Sequence, residues 1–275
     1  SDGFQVDEGN SGEANANKDT EKYVAWQWKA NGGTRVTVTE SGANPGGGHQ
    51  SSTTAGFSIV DYVGTGGAGH VTHGLGVVPE WIIMKNRDEG ESWLVYHVGI
   101  GNGKGLRLDT TAAADTTANH WANTTPNSST IVVGGNPPNN KDAINYIAYC
   151  FASVQGYSKF GSYTGNNNAN GPFIYLGFKP AFLVMKETTG TGNWAIIDST
   201  RGTFNVGNHT LAFNSNGAES AFGDGANAGG AYNKIDLLSN GFKIREASAY
   251  NNGSDDSYVY MAFAESPFVS SEGVP

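Results

Sequence analysis

The feature that most constrains this chain is that it contains itself more than once. Leu75, Gly76, Pro79, Met84 and Lys85 recur 101 positions later as Leu176, Gly177, Pro180, Met185 and Lys186. The same offset pairs Tyr62 with Tyr163, Gly64 with Gly165 and Trp93 with Trp194. Eight anchors on one ungapped register define a period too long for a solenoid and about right for a small domain. Each repeat opens on a matching triplet, Gly56-Phe57-Ser58 and Gly156-Tyr157-Ser158. Each closes on an aromatic segment, Tyr146-Ile147-Ala148-Tyr149 and Tyr258-Val259-Tyr260-Met261. That closing segment occurs a third time as Tyr23-Val24-Ala25-Trp26-Gln27-Trp28-Lys29, and Ser1-Asp2-Gly3-Phe4 ahead of it mirrors Ser239-Asn240-Gly241-Phe242.

This pattern divides the chain. Residues 1–30 read as the terminal hairpin of a truncated upstream copy, and 31–55, rich in Gly, Ser and Thr, as a linker. Residues 56–155 and 156–269 are the two complete repeats, and 270–275 is a tail or further linker. Short apolar runs at 81–85 and 182–186 have the length and composition of buried strands. Hairpin spacing across Gly90 and across Gly190 and Gly192 brings the next strand of each repeat beside them. The expected fold class is all-β: two tandem homologous antiparallel β-sandwich domains of jelly-roll, lectin-like type, plus the upstream hairpin. Helix signals are weak, and the best is a single turn over 232–238. Only a short junction separates the strand ending at Ala152 from Gly156, so a semi-rigid rod of domains is expected.

Composition narrows the partners. The chain of 275 residues carries a net charge of −9 with 15% charged residues, so it offers no basic stripe to a phosphate backbone and nucleic acid is excluded as a partner. Aromatics at 11%, placed in periodic strands, argue against disorder. The single cysteine, Cys150, rules out an internal disulfide and reads as a buried, inert thiol. No apolar run approaches the ~20 residues of a membrane helix.

Catalytic signatures are missing. The G-x-G-x-x-G match from Gly64 to Gly69 leads into another strand instead of a helix, so it reads as a hairpin loop. His70 and His73 point to opposite faces of a strand and lack a third ligand. His97 reads as a satisfied polar residue at a strand end. Glu187, Glu219 and Glu246 fall in loops with no matching acidic set in the other copy, so no carboxylate pair for glycoside hydrolysis emerges. No metal or cofactor is expected, apart from loop-bound calcium at Asp255-Asp256 with Asn251-Asn252. Three residues are candidate ligand contacts. Trp121 and His120 lie in a polar stretch and Tyr250 precedes Asn251-Asn252, where exposed rings would stack on sugar faces. The competing reading makes Trp121 a cap on the sandwich core.

The segments Thr54-Ala55-Gly56-Phe57-Ser58-Ile59-Val60, His73-Gly74-Leu75-Gly76, Gly156-Tyr157-Ser158-Lys159-Phe160-Gly161, Ser239-Asn240-Gly241-Phe242-Lys243 and Tyr23-Val24-Ala25-Trp26-Gln27-Trp28 form a recognisable set. Together they resemble a family of large phage-encoded virion proteins, tail-fibre-like and common in marine cyanophages. The resemblance covers nearly the whole chain and supplies no catalytic residues. It implies a non-enzymatic component of the virion surface that forms an appendage or fibre. Its expected partners are other virion proteins, copies of itself and host-surface polysaccharide, with no membrane insertion. The alternatives are a capsid decoration or sheath subunit and, third, a polysaccharide-degrading enzyme.

Overall fold

A computed structural model describes residues 4, 6, 22–30, 33–116, 119–202, 205–207, 209–217, 219 and 234–266. The first repeat and the residues before it form β1 (Val36–Val38), β2 (Gly47–Ser52), β3 (Phe57–Val63), β4 (Gly69–Thr72), β5 (Trp81–Asn86), β6 (Leu94–His97), β7 (Leu106–Arg107), β8 (Thr130–Val133), α1 (Pro137–Asn140) and β9 (Asn145–Phe151). The second forms β10 (Ser158–Thr164), β11 (Phe173–Tyr175), β12 (Pro180–Glu187), β13 (Ala195–Asp198), β14 (Leu211–Ala212), β15 (Ile235–Leu238), β16 (Gly241–Ile244), α2 (Ala249–Asn252) and β17 (Ser257–Ala264). The fold is all-β, and both described helices are single turns of four residues.

The duplication in sequence is a duplication in topology. In unit 1 the order β3-β9-β5-β6-β7 forms one sheet and β4-β8 a smaller one. In unit 2 the order β10-β17-β12-β13-β14 repeats the first, and β11-β16, widened by β15, repeats the second. All the pairings are antiparallel. Residues 235–238, near the expected helical turn, are the added strand β15; its alternating buried and half-buried residues suit a sheet with one covered face.

The large sheets are buried on both faces, which explains their near-continuous apolar strands. Along β5, Ile82 and Met84 enter a core shared with Val71, Ile131 and Val133 of the small sheet, while Trp81 points the other way. Along β12, Leu183 and Met185 pack with Ile174, Phe242 and Ile244, while Phe182 and Val184 again point away. The outward sets meet each other. Trp81, Val95 and Phe151 of unit 1 pack with Phe160, Phe182, Trp194, Met261 and Phe263 of unit 2 in one central core. The molecule is therefore four layers deep, small sheet on large sheet on large sheet on small sheet. This replaces the expected rod: a short junction between repeats serves a fold-back as well as an extension.

Two further expectations are corrected. The segment expected as a linker contains β1 and β2, which extend the sheet of unit 1 across the β3 edge to seven strands. Its glycines serve close packing, because a Cβ on Gly47 would collide with the Asp61 carbonyl and one on Gly48 with that of Val36. Arg35 pins the hairpin through two bonds to Asp61, at 2.7 and 2.6 Å. Residues 22–30 form neither strand nor helix. Trp26 and Trp28 lie on the seam between the units, with Trp28 against Phe151 (6.2 Å), Phe182 (5.3 Å) and Phe263 (5.4 Å). The aromatic pattern of a closing strand is thus used to seal an apolar seam. The expected partner of that hairpin, residues 1–6, lies largely outside the described residues, as do 267–275.

Candidate functional site

One end of each unit is built around a duplicated polar corner. Tyr62 stacks on Tyr146 (centroids 5.1 Å apart) and Tyr163 on Tyr258 (4.9 Å). The hydroxyls of Tyr62 and Tyr163 donate to the carbonyls of Asn139 and Asn251, at 2.5 and 2.8 Å. Asn140 and Asn252, both fully buried, accept from the N–H of Thr65 (3.0 Å) and Asn166 (2.8 Å). Each also donates back to its loop, at the carbonyls of Gly67 and Asn168. The sequence signal was present: each Asn-Asn pair precedes an aromatic strand, ending six residues before Tyr146 or Tyr258.

Of the residues in the expected calcium loop, Asn252 is engaged by the protein itself, since its amide holds Asn166, Asn168 and Glu246. The candidate ligand residues separate. Trp121 is 1% exposed, edge-on to Tyr96 in the core of unit 1, and its indole donates to the Lys104 carbonyl at 2.8 Å. It is the core cap and not a ligand contact. His120 is equally buried, with Nε2 3.4 Å from Asp115 Oδ1, and Asp115 also meets Arg107 at 3.1 Å. Burial pushes the His120 pKa down, Asp115 opposes this, and Arg107 adds to it. A ring so enclosed orders the loop and offers no face to a sugar. Tyr250, 45% exposed, lies on α2 in the other unit.

The remaining residues of interest are structural. His73 is fully buried between the Asn127 carbonyl (3.0 Å) and the Leu75 N–H (3.2 Å), whereas His70 is exposed on β4. His97 crosses the central seam: Nδ1 accepts from the Gly99 N–H (2.9 Å) and Nε2 meets the Tyr260 carbonyl (3.2 Å). Both bonds suit the neutral ring, and burial lowers its pKa to about 4. Lys186, nearly fully buried, also bridges the seam, reaching the carbonyls of Thr111 (3.4 Å) and Glu187 (2.5 Å), and burial lowers its pKa to about 8. Cys150 is fully buried, which pushes its thiol pKa up and leaves little thiolate.

A cleft of about 230 Å³ opens at the opposite end of unit 2, lined by Gly156, Gly177, Phe178, Lys179, Ser239, Glu265 and Ser266. Lys179 and Glu265 face each other at 2.7 Å with both side chains open to solvent. Beside them stands Tyr175, 60% exposed at the end of β11, with Lys159 Nζ 5.4 Å from its ring centre and bonded to its carbonyl at 2.7 Å. Gly177 holds φ +86°, a left-handed turn conformation that favours glycine, beside the Tyr175 ring. At the corresponding positions unit 1 has Gly74, Val78 and Ser153 in place of Tyr175, Lys179 and Glu265. Sequence reasoning passed over this site because its parts come from four separate turns and strand ends.

No curated protein and no solved structure matches the chain. One family model, described as a domain of unknown function (DUF7483), matches residues 1–267. Both repeats and the segment before them therefore fall within one family unit, and the chain belongs to the DUF7483 family.

Proposed function

We propose that this chain is a non-enzymatic surface component of a phage particle that attaches to host glycans through the cleft beside Tyr175. The carrying observation is the exposed Tyr175 ring next to an open cleft with a carboxylate, an ammonium and two serines. Sugars are bound by this combination: an aromatic face for the C–H side of a pyranose and charged or hydroxyl groups for its oxygens. The cleft is small, so a single site binds weakly, and many copies on a particle raise avidity. The resemblance to tail-fibre-like virion proteins supports the same reading.

A glycan array probed with the chain and its Tyr175→Ala and Glu265→Gln variants tests this. Tenfold or greater loss of signal in both variants, with unchanged melting, is expected; full binding by both would remove the cleft from consideration. Antibody-gold labelling of particles tests the placement, with label at fibre or tail tips expected. The second reading, a decoration or sheath subunit, is favoured by β1, whose outer edge pairs with no described strand and carries the exposed Val36. Label spread over the capsid or along a tube would select it.

A further inference from the structure

The aromatic surface beside the cleft does not end at Tyr175. Along β11 the side chains alternate: Ile174 enters the core of unit 2, while Phe173 and Tyr175 both stand exposed on the outer face of the small sheet. Two positions apart on one strand, they are about 7 Å from each other, the scale of neighbouring units in an extended polysaccharide. On β16, Lys243 faces Phe173 and Gly241 faces Tyr175. Glycine leaves room there, because a Cβ on Gly241 would lie 3.1 Å from Phe173 Cε2. The matching strand of unit 1, β4, presents His70 and Thr72 on its outer face instead. Two large rings exposed side by side mark a binding surface better than either does alone.

The charge on this face runs against that of the chain, whose net charge is −9. Four cations approach the rings: Lys159 from β10, Lys179 from the cleft, Lys243 on β16 and Arg245 just beyond it. Two carboxylates answer them. Glu265 pairs with Lys179 at 2.7 Å, and Asp236, across the sheet from Lys243, pairs with Arg245 at 3.2 Å. Glu246, next along the chain, is turned toward the Asn251 amide at 3.0 Å. Lys159 and Lys243 donate to backbone carbonyls only, those of Tyr175 (2.7 Å) and Gly171 (2.8 Å). One ammonium thus stands beside each exposed ring, and among the described residues neither is paired with a carboxylate.

We propose that the glycan taken by this chain is an acidic polysaccharide, a polyuronate with a carboxylate on successive sugars, laid along β11. Tyr175 and Phe173 each stack against one sugar, and Lys159 and Lys243 each meet a carboxylate. This rests on the glycan-attachment reading above and adds two things to it: the site is longer than the cleft, and its ligand is charged. A neutral sugar would leave both ammonium groups without a use.

An array of neutral and acidic oligosaccharides, followed by calorimetric titration with galacturonate, alginate and glucuronate oligomers and their neutral methyl esters, tests the proposal. The acid form of at least one oligomer should bind tenfold or more tighter than its ester, gain affinity with length, and weaken as salt is raised. Phe173→Ala should remove the gain with length. Lys159→Gln combined with Lys243→Gln should bring the acid form down to its ester, with melting temperatures verifying that each variant folds. Equal binding of acid and ester, or a Phe173→Ala chain that still gains with length, would overturn the proposal. So would neutral sugars binding while every acidic one fails, a result that would leave the cleft standing as a neutral-sugar site. Equal affinity for single-stranded DNA would reduce the face to general polyanion attraction and overturn it too. An array silent for every sugar would overturn the glycan reading along with it.

Discussion

The two units share a buried frame and diverge at their ends and edges. Both have the tyrosine stack, the Asn-Asn turn and the sheet order, each element at its counterpart's place. Their edges are managed differently: β3 is covered by the β1–β2 hairpin, whereas the start of β10 is blocked by a bridge from Val154 to Ser158. At the seam unit 1 contributes the neutral His97, while the equivalent Asp198 in unit 2 pairs with Arg201 at 2.5 Å. Duplicated parts thus hold each sandwich together, and unduplicated parts carry what distinguishes one unit from the other. A shared frame predicts equal penalties in both units; divergent parts predict one-sided ones.

The largest effect belongs to the seam. Trp81 is buried against Trp194 (5.8 Å) and His97 (4.9 Å), so Trp81→Ala should cost about 3–5 kcal/mol. Calorimetry should show one shifted transition, because the central core belongs to both units; two separate transitions would split the molecule into independent domains. Next comes acid. His97 has a folded pKa of about 4, below the ~6.5 of an unfolded chain, so between those values the unfolded state binds the extra proton. Stability should therefore be complete above pH ~6.5 and decline as pH falls toward 4, by at most about 3 kcal/mol from this group. Denaturant titrations across that window should show a flatter decline for His97→Gln. Asn140→Ala and Asn252→Ala should each cost about 1–3 kcal/mol, and similarly, since each removes a buried amide with several partners. A large cost in one unit alone would break the equivalence of the corners. Smallest is Tyr175→Ala, where stability should move by no more than about 0.5 kcal/mol while glycan binding falls.

The repeat register was legible because strand-borne anchors such as Met84 and Met185 must keep their phase to reach the same core. Strand class was legible in β5 and β12 for the same reason. What covered the second face of those strands was not, since a continuous apolar run reports that both faces are buried without naming the neighbour. Gly46-Gly47-Gly48 misled because composition cannot separate glycine as a hinge from glycine as a place where backbones touch. Trp121 carried the opposite trap, a polar sequence neighbourhood around a ring that turns inward. The Tyr175 cleft was illegible because its lining residues come from distant segments. Glu187 was visible as an acid, but its burial at the end of β12 is a fact of three dimensions.

The placement of Trp26 and Trp28 has a mechanical consequence. Tension applied through residues preceding Lys22 would enter the molecule at the seam, where Trp28 touches Phe151 of one unit and Phe182 and Phe263 of the other. Such a load is divided between two sheets at the centre of the fold, so it meets both sandwiches together before it can unzip the edge strand of either.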